Sequence, residues 1–265
     1  MRIAFFCSLP LALAAAALTL AQTERPSGRQ MIDKTIAALG GNRFSQMQTR
    51  VSTGRIYGFF HDQISGREIV KSYVRYMPAS SPTGLAIEER QLLGKKQDYS
   101  NLFTPTAAWD ITFRGARAFS DEDWQRYVRT TRNDILYILR CRMNEPGMQF
   151  EYIGSDVYVS RHVELVDIID STNQVVRVYL DHNTMLPMHE SYTWFDEKTR
   201  EHNDAAVDYD KYRDSGGVMW PFVMERARNG FKVFQMFADS VQVDQPSPEG
   251  IFNLPSGTPV LKPAE

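Results

Sequence analysis

Apolar and polar residues alternate with a period of two over most of this chain, and only two stretches show a helical period instead. In residues 67–77, Val70, Val74 and Tyr76 oppose Lys71, Tyr73 and Arg75, so one face is apolar and the other wet. From Met188 onward, Met188, Tyr192 and Trp194 share a face, with His189, Ser191 and Thr193 on the other. The same reading predicts strands over 51–60, 67–77, 85–92, 98–104 and 108–114, and again over 150–159, 162–169, 175–180, 188–195, 206–212, 219–228 and 231–243. The last run is apolar on both faces: Val233, Phe237 and Val241 on one, Phe234 and Met236 on the other. Such a strand is covered on both sides or lines a cavity on one. The breaks carry turn residues, among them Ser65-Gly66, Ser171-Thr172-Asn173 and Asp214-Ser215-Gly216-Gly217. Asn229-Gly230 between two apolar runs is the strongest hairpin signal, because a tight two-residue turn needs positive φ at both positions.

The first helical stretch follows Ser27, which with Gln30 forms a capping box. Met31, Ile32, Thr35, Ile36 and Leu39 recur at helical spacing, and Gly40-Gly41 supplies the stop. The second follows Ser120, with Asp121, Glu122 and Asp123 in a first turn where negative charge suits the helix dipole. Trp124, Tyr127, Val128, Thr131, Ile135, Leu139 and Arg142 mark its stripe, widened by Leu136, Tyr137 and Ile138, and Pro146-Gly147 closes it. No period of 20–50 residues repeats, which excludes a propeller or solenoid. The fold class is therefore mainly β (α+β): an antiparallel meander, open or closed into a barrel. Two helices cannot cover both faces of so long a sheet, so the sheet is expected to curl around them.

The chain start adds a compartment. Met1-Arg2, an apolar run over 3–20 and small residues ending at Ala21 form a signal-peptide pattern, with Gln22 opening the mature chain. The alternative is an uncleaved anchor, since the run is about long enough to span a bilayer. Residues 1–21 are read as the leader and 22–265 as one domain. Cys7 falls inside the leader, and Cys141 alone cannot make an internal disulfide; it reads as a small buried helix residue. The net charge of −2 becomes one unit more negative when Arg2 leaves with the leader, which argues against a nucleic-acid partner. Aromatic residues, 12% of the chain, suffice for a core and an apolar cavity besides.

Catalytic patterns are sparse. The sequence contains no His-Glu-x-x-His, no Gly-x-Ser-x-Gly and no Gly-rich phosphate loop. His182 and His189, with Asp181 and Glu190 beside them, could ligate a metal, but exposed turn residues are the plainer reading. Asp208 and Asp210 share a strand face, yet Lys211 and Arg213 nearby suit a solvated surface; Asp167 and Asp170 lie on opposite faces. Arg126, Arg129, Arg132, Arg140 and Arg142 could meet anionic headgroups, against the plainer reading of local pairing with Asp121, Glu122, Asp123 and Asp134. No enzyme, metal or cofactor is expected.

The final third carries Tyr212-Arg213-Asp214, Gly216-Gly217, Trp220-Pro221-Phe222, Asn229-Gly230 and Phe252-Asn253-Leu254-Pro255. These parts, in this order, resemble the C-terminal half of the lipoprotein-carrier superfamily of the bacterial periplasm, the LolA/LolB type. The element order of the N-terminal half is similar to it as well. The resemblance implies a curved antiparallel sheet forming an incomplete β-barrel, with helices as a lid over the concave face and acyl chains held between. It further implies an arginine that ties the lid shut, for which Arg75 in Arg75-Tyr76-Met77-Pro78 is nearest by position, although the family's adjacent Arg-Pro is missing. The protruding apolar loop and lipidated cysteine of the membrane-inserting receptor branch are not evident.

The expected activity is periplasmic binding and carriage of a lipophilic ligand, lipoprotein acyl chains or another lipid, by a monomer that meets inner- or outer-membrane transfer partners. A lipid sensor or interaction module on the same fold is the alternative. Some ten buried methylenes at ~0.8 kcal/mol each give ~8 kcal/mol, near micromolar affinity. The expected cavity lining is Tyr76, Trp109, Phe113, Tyr192, Trp194, Phe222 and Phe237 from strands, with Trp124, Val128 and Ile135 from the lid.

Overall fold

The computed structural model describes residues 26–78 and 84–262; the leader assigned to 1–21 lies outside them. Its first helix, α1 (Gly28–Leu39), begins as the sequence requires. The Ser27 hydroxyl accepts from the Gln30 amide at 3.2 Å, and the Gln30 side chain accepts from the Ser27 amide at 2.9 Å. Gly40 ends it at φ 125°, where a Cβ would stand 2.3 Å from the Gly217 carbonyl oxygen, so only glycine fits. Ile32 and Leu39 are fully buried. A single further turn, α2 (Asn42–Ser45), is too short to show a period and inserts Phe44 into the core.

Fourteen strands follow: β1 (Thr49–Phe60), β2 (Gln63–Tyr76), β3 (Ile87–Leu93), β4 (Tyr99–Phe103), β5 (Ala108–Thr112), β6 (Gly115–Ala118), β7 (Gln149–Tyr158), β8 (Arg161–Ile169), β9 (Val175–Asp181), β10 (Pro187–Asp196), β11 (Glu201–Asp214), β12 (Met219–Arg228), β13 (Phe231–Val243) and β14 (Val260–Leu261). All twelve predicted strands are present. The run 108–114 ends in a hairpin turn at Phe113-Arg114 that returns as the short β6, and β14 was not foreseen.

The sheet consists of two antiparallel meanders, β1–β6 and β7–β13, placed side by side because β1 pairs with β13 from Arg50↔Val243 to Gly58↔Phe234. β14 adds in parallel to the β6 edge. The far edges, β7 and β14, do not meet, so the sheet curls without closing. Bulges supply the curl. At the one between Thr53 and Gly54, a Cβ on Gly54 would lie 2.3 Å from the Phe237 carbonyl oxygen. The result is a mainly β, curved open sheet with helical elements, an incomplete barrel.

The second predicted helix divides at Asp134. Its first part, α3 (Asp121–Asn133), stops there; α4 (Ile135–Tyr137) then runs into a π-helical segment, Ile138–Arg142. The Asp134 carboxylate accepts from the amides of Leu136 and Tyr137, at 3.0 and 3.2 Å, and so caps the new helix start. The main core joins α1, α2, α4 and the π segment to the concave face of β8–β12, with Ile32, Leu39, Ile135, Ile138, Val178 and Leu180 at its centre.

Part of the convex face is covered too. Val51 and Tyr73 pack against Phe252 and Ile251 of the C-terminal segment. Tyr73, expected on the wet face of β2, is therefore only 6% exposed. The local alternation was correct; a distant segment supplied the cover.

Candidate functional site: a cavity beneath the third helix

Where α3 crosses the first meander, it stands off the sheet and encloses a cavity of about 600 Å³. The walls are α3, the concave sides of β1, β2, β3, β12 and β13, and the α4 start. One end is closed by Trp220, Leu136 and Tyr137, all buried. The other is marked by Arg126, Arg228 and Val233, which are exposed, and opens toward the rim where the β1–β2 and β12–β13 hairpins turn.

Strand register explains the composition of the wall. Arg50, Val74 and Glu89 are cross-strand neighbours on β1, β2 and β3, and Ser52, Ser72 and Gln91 form the next row. Polar residues thus occupy successive inward positions on the floor. Nearer the mouth the wall is apolar: Ile56, Val70, Met224, Val233, Phe234 and Met236.

The polar floor is organised around Glu89, whose carboxylate accepts from Ser72 Oγ at 2.8 Å, Gln91 Nε2 at 2.9 Å and the Tyr127 hydroxyl at 3.0 Å. Burial and then the Glu89 charge push the Tyr127 phenol well above its usual range, so it remains a donor. The Arg50 guanidinium lies 4.5 Å over the Trp220 ring and donates weakly to Ser52 Oγ at 3.4 Å. Burial works against its charge, but Tyr76 and Glu89 more than compensate. Arg226 stands 3.6 Å from the Asp134 carboxylate and 5.5 Å from the Phe234 ring centre.

The helical cover is fastened at several points. Tyr127 donates to Glu89, and the Tyr137 hydroxyl accepts from the Ala86 amide at 2.8 Å. Glu190 on β10, fully buried, accepts from the Ile135 amide at 2.6 Å. Burial, reinforced by the Asp134 charge, raises the Glu190 carboxyl well above the carboxylate range. Arg140 donates to the Met47 carbonyl at 2.9 and 2.6 Å. Arg142, 2% exposed, reaches Glu145, Asp170 and the Arg132 carbonyl.

Arg75 does not latch this cover. Its side chain is half exposed, pairs with Glu88 (Nε to Oε2, 2.7 Å) and lies over Phe252 on the convex face. Strand alternation sends Tyr76 inward and therefore Arg75 outward. Tyr76 lines the cavity, while the other nine expected lining residues do not. Ile135, Tyr192, Trp194 and Phe222 belong to the main core, and Trp124 and Val128 pack beside Val74 and Ile87 at the flank of α3. Trp109 packs with Leu102, Ile111 and Leu254. Phe237 shares the outer face with Arg55 and sits edge-on to Tyr57 at 5.9 Å. Phe113, at a hairpin tip, is 89% exposed. The residues missed were Arg50, Ser52, Ser72, Glu89 and Arg226. Their signal was present, since Arg50 and Ser52 are in phase with Ile56, but a search for apolar side chains passes over it.

The other candidates resolve into local structure. His182 pairs with Glu164 at 2.5 Å and His189 with Asp208 at 2.8 Å, and no cluster of three metal-binding side chains occurs among the described residues. Asp208 also accepts from Tyr158 at 2.7 Å, whereas Asp210 turns to Lys211. Burial pushes the Cys141 thiol up to about 12, far from a nucleophile's range. The arginines of the lid are absorbed internally: Arg126 on Asp123, Arg129 over Trp194, Arg132 on Glu145, and Arg140 and Arg142 as above. No described helix is long and apolar enough to cross a membrane.

A half-open β-barrel with a helical cover and a cavity between them defines a LolA-like fold. Solved structures share it. A domain assigned as an outer membrane lipoprotein-sorting protein from Vibrio parahaemolyticus aligns with TM-score 0.56 at 10% identity, over 85% of this chain and 97% of its own. A DUF1329 family protein from Desulfovibrio piger aligns at 0.59 and 9%, over 86% and 98%. A LolA superfamily protein from Nitrosomonas europaea aligns at 0.51 and 10%, over 86% and 98%. At these identities the likeness is one of fold. No protein-family model and no curated protein matches the sequence.

Proposed function

We propose that this chain is a periplasmic binding and carrier protein for a lipophilic ligand, exported by cleavage after Ala21 and working as a monomer. The observation that carries the reading is the cavity: its volume lies within the ~300–1,000 Å³ of small-ligand sites. The sheet wall leading to its mouth is apolar, with Arg126 and Arg228 at the rim, and its cover is a helix with one buried residue, Asn133. Lipid or lipoprotein acyl chains, delivered to or taken from membrane partners, are the ligands this shape suits. Binding rather than catalysis is favoured because the cavity carboxylates are already hydrogen-bonded: Glu89 to three side-chain donors, Asp134 to two amides.

The test is titration of a fluorescent fatty acid into the wild type and Met224→Trp, which fills the mouth half of the cavity. Saturable binding by the wild type and at least about tenfold weaker binding by the variant are expected. Failure of the wild type to bind any acyl probe would show the cavity to be an unused feature of the fold. Native mass spectrometry of protein taken from its own periplasm would identify the cargo.

A further inference from the structure

The polar atoms of the cavity wall are not evenly served. Among the described residues, its buried side-chain nitrogens and oxygens that lack a partner are two, Arg50 Nε and Arg226 Nε, and both are donors. The acceptors in the same wall are occupied, Glu89 by three side chains and Asp134 by two backbone amides. Glu190, behind the cover, has its carboxyl raised well above the carboxylate range by burial. Of the four arginines in the lining, Arg126 is paired with Asp123 and Arg228 donates to Asn203 at the rim, which leaves Arg50 and Arg226 as the guanidinium groups with an unused buried donor. A buried donor without an acceptor costs free energy, and an incoming oxygen removes that cost.

The polarity also runs along the cavity. Arg50 and its Trp220 platform stand at the closed end, the apolar side chains of the sheet stand between them and the mouth, and Arg126 and Arg228 stand at the outer rim. A bare acyl chain entering tail-first would place methylenes against Arg50, Ser52 and Glu89, where they would displace hydration without replacing it.

We infer that the cavity takes its ligand polar end first: a single-chain amphiphile whose carboxylate or phosphate reaches the guanidinium groups of Arg50 and Arg226 while its chain lies along the apolar mouth. The inference rests on the cavity being a ligand site, as proposed above. Arg50, stacked on Trp220 and hydrogen-bonded to the Tyr76 side chain, keeps its Nε as a free donor, and Arg226, held near Asp134, supplies the second. Glu89 and Asp134 keep their own donors and orient the floor.

Four ligands of equal chain length separate the possibilities: dodecanoate, dodecyl phosphate, dodecanol and dodecylamine, each competing with a fluorescent acyl probe below its aggregation threshold. One or both anions are expected to bind at least about tenfold tighter than the amine, and the stronger of the two names the head group. Arg50→Gln and Arg226→Gln are each expected to abolish that preference while leaving dodecanol within about twofold; Arg50→Lys, which keeps charge and loses the Nε donor, is expected to fall between. Equal binding of all four ligands by folded wild type, unchanged in the variants, overturns the polar-end-first inference and leaves the carrier reading standing. No binding of any of the four, nor of the probe, overturns the carrier reading itself. If a variant melts early, the wild-type ranking and the other arginine decide.

Discussion

The same curled sheet is used in two ways. Against β8–β12, α1 and the π segment fill the concavity with apolar side chains, and Ile32, Leu39, Ile138, Val178 and Leu180 are fully or almost fully buried. Against β1–β3 and the mouth halves of β12 and β13, α3 spans the concavity and buries only Asn133. The difference is in the helices. α1 turns Met31, Ile32, Thr35 and Leu39 to the sheet, whereas α3 presents Asp123, Arg126, Tyr127, Thr130 and Thr131 to the cavity. A helix whose inner side is polar gains little by collapsing onto the floor beneath it, because Asp123 and Arg126 are paired with each other and Tyr127 is held by Glu89 at hydrogen-bond distance. One half is thereby a core and the other a container.

That contrast can be broken most directly by deleting matched volume on each side. Ile138→Ala in the filled half is expected to cost roughly 2–5 kcal/mol. Met224→Ala, in the cavity wall, is expected to cost less than about 1 kcal/mol, since space already exists at its side chain. Urea denaturation of both variants without ligand measures the difference. Equal losses would mean that the cavity closes in solution and that both halves are core.

The junction between the halves is sharpened by pH. Burial raises the Glu190 carboxyl well above its unfolded value of about 4.3. Between those values the native state binds the extra proton, so stability falls as pH rises, by about 1.4 kcal/mol for each unit traversed. Glu190→Gln keeps an acceptor for the Ile135 amide and loses the titration. Its stability relative to wild type is expected to be near zero at pH 4 and positive at pH 8, read as the shift in urea midpoint. Taking the difference removes Glu164, Asp170, Asp181 and Asp208, whose carboxyls are lowered and which lend stability that is lost toward acid. A variant weaker than wild type at both values would show that Glu190 is ionised.

The smallest effect is expected outside both halves. Arg75→Ala removes an exposed pair with Glu88, which contributes about 0–1 kcal/mol, and leaves acyl-probe binding unchanged. Faster probe release in this variant would restore Arg75 as a fastener of the cover.

Much of this fold was legible in local chemistry. The Ser27–Gln30 box starts α1, and Asn229 and Gly230 turn with φ of 50° and 76°, both positive as that hairpin demands. Period-two alternation located twelve strands, because a half-buried strand writes its two environments into neighbouring residues. The candidate site was far less legible. Of ten residues chosen for the cavity only Tyr76 lines it, since large apolar side chains are what a protein buries wherever it can, and burial in a core looks the same in sequence as burial around a ligand.

The sequence by itself determined the elements: which stretches are strands, where the chain turns, where α1 begins and ends, and which side chains of each strand share a face. Tertiary structure alone decided which faces met. The β1–β13 pairing joins Arg50 to Val243, and with it brings Trp220 beneath Arg50. The tail that buries Tyr73 comes from residues 251–252. Asp134 reads locally as a helix residue, and it becomes a break because its carboxylate caps α4 while Glu190, from β10, takes the Ile135 amide. Alternation and capping are set within a few residues by backbone geometry. Partners nearly two hundred residues apart are chosen by the packing and polar satisfaction of the whole sheet, which no local window contains.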